Sequence, residues 1–142
     1  MFGSLGLAGQ VYPASATRAR MDEIELTIPE AILESLPEDG EDTKRDMGQA
    51  VAGWEAQLNA TLAEDDDVGD VVDLLERFED RWEAYDEFVV ELRAWGQSPI
   101  YAMAWRNLLA SIIGQVYEHE GLADRIERER NARIVEDGIG RR

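Results

Sequence analysis

Residues 68–95 read VGDVVDLLERFEDRWEAYDEFVVELRAW, and this stretch decides the fold class. Its large apolar side chains recur at alternating steps of three and four; they are Val68, Val71, Leu75, Phe78, Trp82, Tyr85, Val89 and Leu92. That spacing places them on one side of an α-helix and is typical of helices that pack in a coiled-coil-like manner. The charged residues between them predict a solvated opposite face, and Gly96 predicts the end of the helix.

Two further helices are predicted after this one. Ser98 as N-cap and Pro99 at the first helical position start a helix that runs to about Glu120 and is closed by Gly121. A last helix is expected from about Leu122 to Glu136. Because most of its side chains are charged, we expect it to project from the body or to pack loosely.

The chain before residue 68 carries weaker signals. Residues 24–28 alternate apolar and polar side chains, which suits a short strand or an extended segment. Pro29 then fits the start of a short helix through about Leu36. A longer helix is predicted from Asp42 or Thr43 to about Ala63, with its apolar residues on one face.

These patterns together predict an all-α fold. We expect a bundle of three long helices with shorter N- and C-terminal helices and an extended N-terminal arm. The predicted parts are the arm at residues 1–23, the helical domain at 24–136 and a basic C-terminal tip at 137–142.

The composition is strongly acidic, with 31 Asp and Glu residues against 14 Lys and Arg and a net charge of −17. All the basic residues except Lys44 are arginine. The first twenty residues contain two arginines and no acid, and the last eighteen also carry more arginines than acids. Phosphate-binding surfaces need the opposite sign, so nucleic acid is an expected partner only at the C-terminal tip.

The predicted helix from Pro99 to Glu120 has large apolar residues on a broad face, and its other side offers only Ala102, Arg106, Ala110 and Gly114. A helix that is apolar or small nearly all round is usually buried. We therefore predict that a second subunit covers it, through an interface of Ile100, Met103, Arg106, Ala110 and Gly114. The alternative is that the chain's own N-terminal segments cover it.

The N-terminal arm has isolated apolar side chains separated by glycines, so it cannot form a core of its own. We predict that the arm lies on an acidic neighbouring protein. We expect the basic C-terminal tip to dock in the same way. The interface residues expected there are Phe2, Leu5, Leu7, Val11, Tyr12, Arg18 and Arg20 in the arm, with Arg141 and Arg142 at the tip.

Catalytic and ligand-binding motifs are not recognisable. The chain has no cysteine, and its single histidine, His119, is expected to be solvated near a helix end. The Glu-x-x-His motif of di-iron bundles does not occur. We therefore predict no enzymatic activity, no cofactor and no metal, and we expect no membrane span.

The acidic, arginine-rich composition resembles that of proteins from salt-loving archaea and their viruses. The helical bundle with chain ends that extend from it resembles the small head-to-tail connector, or adaptor, proteins of tailed viruses. The resemblance implies a non-enzymatic subunit of a homo-oligomer, in a virion or in the cytoplasm of a halophilic host, with other acidic assembly proteins as partners.

A different function class is a small acidic regulator. Residues 24–36, IELTIPEAILESL, are similar to the strand and first helix of ribbon-helix-helix proteins, which bind DNA as dimers. Glu25 and Thr27 would then face the DNA. Since an acidic residue is repelled by phosphates, we hold this as the alternative.

Overall fold

The structure is a computed structural model that describes residues 23–64 and 68–140. These residues form five α-helices, which are α1 (Glu30–Glu34), α2 (Glu41–Glu64), α3 (Gly69–Ala94), α4 (Ile100–Glu118) and α5 (Leu122–Gly140). No β-strand occurs in these two ranges. The chain is an all-α helical bundle, as the sequence predicts.

The turn between α3 and α4 is set by one glycine. Gly96 has a φ of 74°, in the left-handed region that glycine adopts without strain. Its N–H donates to the Arg93 carbonyl at 3.1 Å, and the Gln97 N–H donates to the Leu92 carbonyl at 2.8 Å. These two bonds form a Schellman motif, which satisfies the last carbonyls of α3. The predicted helix end at Gly96 is confirmed.

Other helix boundaries differ slightly from the expected ones. Helix α4 begins at Ile100, with Pro99 in the capping position, one residue later than predicted. The Ile100 N–H donates to the Ser98 hydroxyl at 3.4 Å. Helix α2 begins at Glu41, ahead of the expected Asp42 or Thr43.

The core is built mainly between α3 and α4, with the remaining helices packed around them. The largest side chains buried there are Val71, Val72, Leu75, Phe78, Val89, Leu108, Leu109 and Ile112. Met47 and Leu58 of α2 are also fully buried. Among the described residues every buried side chain in this core is apolar, which fits stabilisation by the hydrophobic effect.

The chain itself covers the large aliphatic side chains of α4. Leu108, Leu109, Ile112 and Val116 are each at most 1% exposed. Ala102, which the sequence placed on the uncovered side, is buried as well. Tyr101 lies at the surface instead, where its hydroxyl donates to Asp39 at 3.0 Å. The described part of the chain therefore covers most of α4 and leaves a narrower strip uncovered than the sequence suggests, and covering of that strip by a second subunit stays a prediction.

Residues 24–28 are extended but pair with side chains rather than with a strand. Ile24 and Leu26 are buried, as the alternation predicts. The Ile24 N–H donates to Asn59 Oδ1 at 2.8 Å, and Asn59 Nδ2 donates back to the Ile24 carbonyl at 3.0 Å. The Leu26 N–H donates to Glu55 Oε1 at 2.8 Å. One edge of the segment is thus bound along α2.

The opposite edge of the segment is bound to α4. Gln115 accepts from the Thr27 N–H at 2.9 Å and donates to the Thr27 carbonyl at 2.8 Å. The side chains of Asn59, Glu55 and Gln115 therefore bind backbone groups that a neighbouring strand would otherwise bind. Through this segment they connect α2 to α4.

Helix α5 is longer and more firmly packed than expected. Leu122 and Ile126 are fully buried, whereas Ile134 is 67% exposed. The helix continues to Gly140, four residues beyond the predicted end at Glu136. About half of its side chains are charged, and ion pairs from Arg130 and Arg133 to α3 hold the helix in place.

Two arginines of α5 form these ion pairs. Arg130 donates to both carboxylate oxygens of Glu79, at 3.1 and 3.2 Å. Arg133 donates to Asp73 at 2.8 Å and to the Gly69 carbonyl at 3.1 Å. The acidic face of α3, which we expected to be solvated, is therefore partly paired with α5.

Glycine positions give a stability test. Replacing Gly96 with alanine should lower the free energy of unfolding by about 1 kcal/mol, because a Cβ disfavours a left-handed φ. Gly53→Ala, in the exposed middle of α2, should raise it by about 0.5 kcal/mol through higher helix propensity. Neither new Cβ meets another atom within 4 Å, so denaturant unfolding measures the backbone effect alone. Equal shifts in the two variants would contradict this account.

Removing the Arg133 side chain should lower the free energy of unfolding by about 1 kcal/mol in dilute buffer, because partly exposed ion pairs are each worth less than that. Molar salt should shrink the loss, since the Debye length falls to about 3 Å. Arg128→Ala is the matched control, because Arg128 is an exposed arginine on the same helix without an ion pair among the described residues. Thermal unfolding at two salt concentrations would measure both variants.

Candidate interaction surface

An open groove of about 630 Å³ lies between α2, α3 and α4. It is lined by Ala50, Trp54, Arg81, Ala84, Tyr85, Glu87, Phe88, Glu91, Trp105 and Leu109. We call it the aromatic groove, because four of its lining residues carry aromatic rings.

Contacts between aromatic rings hold the side chains of the groove in place. Tyr85 of α3 stacks on Trp105 of α4, with ring centroids 6.4 Å apart and planes inclined by 11°. Trp54 of α2 packs at 5.3 Å against Phe78, which is 2% exposed. Trp54, Tyr85 and Trp105 are half-buried, so their free surfaces form the groove wall.

Phe88 stands at the margin of the groove and is 42% exposed. Arg81 lies at one end of the groove along α3, and Glu87 and Glu91 lie towards the other end. The groove therefore carries a positive charge at one end and negative charges at the other. Apolar walls with a few charged groups at the margin suit the binding of apolar side chains from another protein surface.

The described residues that line the groove include no serine, cysteine or histidine. His119 lies elsewhere, directly after the end of α4. Among the described residues, no group of three histidine, aspartate or glutamate side chains is placed to hold a metal ion.

A second, smaller cleft of about 330 Å³ lies on the other side of the α3–α4 pair. Glu79, Trp82 and Glu83 line it from α3, and Ala110 and Ile113 line it from α4. Trp82 and Ile113 are half-buried there. This cleft belongs to the α4 surface for which the sequence predicts an interface.

The structure places the predicted α4 interface residues along one strip beside this cleft. Ile100 is 40% exposed and Ala110 is exposed, whereas Met103 and Gly114 are half-buried. Arg106 is drawn towards α3, where it donates to Asp86 at 2.9 Å.

The other predicted interface residues lie outside the described part of the chain. These are Phe2, Leu5, Leu7, Val11, Tyr12, Arg18 and Arg20 in the arm and Arg141 and Arg142 at the tip.

Sequence reasoning missed the aromatic groove. It assigned Tyr85 to the apolar seam of α3 and Trp54 to the apolar face of α2, and the structure leaves each of them only half-buried. Phe88 was the available signal, because it falls outside the three–four spacing of the seam and so has to face elsewhere.

Two tyrosines at the edges of α4 have altered acidity. A hydrogen bond to the Asp39 carboxylate raises the pKa of Tyr101, because the carboxylate favours the protonated phenol. Burial raises the pKa of Tyr117, against the opposing charge of Arg130, whose guanidinium lies 5.8 Å from the ring centroid. Both phenols therefore stay neutral at physiological pH and act as hydrogen-bonding or packing groups.

None of the helices in the described ranges combines the length and apolar character that a membrane crossing requires. No curated protein matches the chain, and no solved structure matches it. A family model does match residues 21–142, under the description "Family of unknown function (DUF7971)". The chain belongs to this family.

Proposed function

We propose that this protein is a non-enzymatic assembly subunit that forms a homo-oligomer through its helices. The observation that carries the proposal is the aromatic groove, in which Trp54, Tyr85 and Trp105 present ring surface that the described part of the chain does not cover. Large exposed apolar patches are uncommon on monomers and mark sites of association.

Exposed apolar side chains near the groove support the proposal. Phe88 lies at the groove margin. Trp95, the C-cap residue of α3, is 63% exposed, and Val90, on another side of that helix, is 62% exposed. Single exposed apolar residues are ordinary, but several along one helix next to an aromatic groove favour a protein interface.

The finer proposal is a connector or neck component, or a capsid-associated protein, of a virus that infects a halophilic archaeon. Its support is the acidic, arginine-rich composition and the helical bundle. Acidic virion or assembly proteins would be its further partners, and its location would be the virion or the host cytoplasm. Nucleic acid would be contacted only by the C-terminal tip.

The ribbon-helix-helix alternative is less well supported. In that architecture the strands of two copies pair through their backbone amides. Here the N–H groups of Ile24, Leu26 and Thr27 are bonded to side chains of the same chain. Pairing with a second copy would first have to break those bonds, so we favour the assembly subunit.

The proposal predicts self-association of the full chain. Light scattering over a range of protein concentrations, in molar salt, should give a mass that is a multiple of the 16.0 kDa monomer. Salt should strengthen the assembly, since it screens repulsion between copies that each carry a net charge of −17. A mass that stays at 16.0 kDa at all concentrations and salt levels would refute the proposal.

A further inference from the structure

Helix α3 carries a second regular stripe of residues, separate from its core seam. We call it the outer strip; it consists of Arg77, Arg81, Ala84, Phe88 and Glu91, together with Trp95, the C-cap residue of the helix. Its members follow one another at steps of four, three, four, three and four, so they lie on one side of the helix. All six are exposed. The spacing is that of a helix-packing surface, yet no described part of the chain packs on it.

We propose that the outer strip is the dimer interface of this protein, and that α3 of a second copy packs against it antiparallel, with a two-fold axis at the level of Asp86. This inference rests on the proposed function, because it names the partner and the register of self-association.

A two-fold axis at residue 86 pairs positions that lie equally far on either side of it along the two helices. Phe88 then faces Ala84 of the second copy, a large side chain over a small one, as in knobs-into-holes packing. Ala84 and Phe88 both line the aromatic groove, so each phenylalanine is directed to the groove of the other copy.

The same axis pairs the charged members of the strip. Arg81 faces Glu91 of the second copy, which forms two symmetry-related ion pairs in the dimer. Arg77 faces Trp95 of the second copy, where a guanidinium can lie on the indole ring. A single register about one axis therefore gives three complementary kinds of pair, which are Phe88 with Ala84, Arg81 with Glu91 and Arg77 with Trp95.

A parallel arrangement of the two helices lacks this complementarity. It would place Arg81 against Arg81 and Glu91 against Glu91, which are like-charge contacts. The charges therefore select the antiparallel orientation as well as the register.

The net charge of the protein supports the choice of this strip. Two copies that each carry −17 repel one another over most of their surface. The outer strip holds two arginines and a single acid, so it is a less repulsive route of approach. Neither Arg77 nor Arg81 has an ion-pair partner among the described residues, in contrast to Arg106, Arg130 and Arg133.

Charge reversal tests the register directly. In Arg81→Glu, both ion pairs of the dimer become Glu–Glu contacts, and in Glu91→Arg both become Arg–Arg contacts. Each variant alone should raise the dissociation constant of the dimer about tenfold at about 0.15 M salt, because each change acts twice across the axis. Sedimentation equilibrium measures the constant, and circular dichroism checks that helicity is unchanged.

Restoration is the sharper part of the test. An equimolar mixture of the two variants should form a heterodimer with two opposite-charge pairs, and its dissociation constant should return to within about threefold of the wild-type value. The double variant Arg81→Glu/Glu91→Arg should dimerise equally well by itself. Arg128→Glu changes the net charge as much as Arg81→Glu does, but outside the strip, so it should shift the constant less than about twofold.

The outcomes separate this inference from the proposed function. If the wild-type chain self-associates but the single variants dimerise as it does, or the mixture stays as weak as each variant alone, another surface or the N-terminal segment holds the copies together. The register is then wrong, while the assembly role stands. A wild-type chain that never associates overturns both.

Discussion

The antiparallel packing of α3 against α4 is the constraint on which the rest of the structure depends. These two helices contribute most of the fully buried large side chains, and burying each of them stabilises the fold by about 1.5–3 kcal/mol. The Schellman turn at Gly96 sets the angle at which one helix returns along the other. Helix α2, the extended residues 24–28 and α5 then pack on surfaces that this pair creates.

Charge is distributed so that this apolar core can exist in a very acidic chain. Among the described residues the buried core contains only apolar side chains, and the acids lie at the surface, where water and salt solvate them. Where the surfaces of two helices meet, arginine compensates the acids, as Arg130 and Arg133 do between α5 and α3. Arginine suits this role because its guanidinium carries several donors in a fixed plane, and Arg133 uses three of its nitrogens, on Glu129, Asp73 and the Gly69 carbonyl.

The sequence was sufficient to predict the helices, the glycine at the α3–α4 turn and the alternation in residues 24–28, because these are local properties of the backbone and of one helix face. It could not show which faces of different helices meet. Ala102 was expected outside and is buried, and α5 was expected to be loosely packed but is anchored by ion pairs. Both errors have the same origin, since hydrophobic periodicity describes one helix and not its rotation against a neighbour. The aromatic groove depends on three helices at once, so no single stretch of sequence reveals it.

Three sides of α3 have different surroundings. The seam that contains Leu75 and Phe78 builds the core, and the face with Asp73 and Glu79 binds α5. The outer strip, on a third side of the helix that borders the aromatic groove, carries apolar and charged residues at helix-packing spacing. Residues on a merely solvated helix face need no such order, and a tryptophan or phenylalanine there adds apolar surface that water solvates poorly. We propose that a second copy of the chain covers this strip, because Arg81 and Glu91 of two antiparallel copies are complementary in charge.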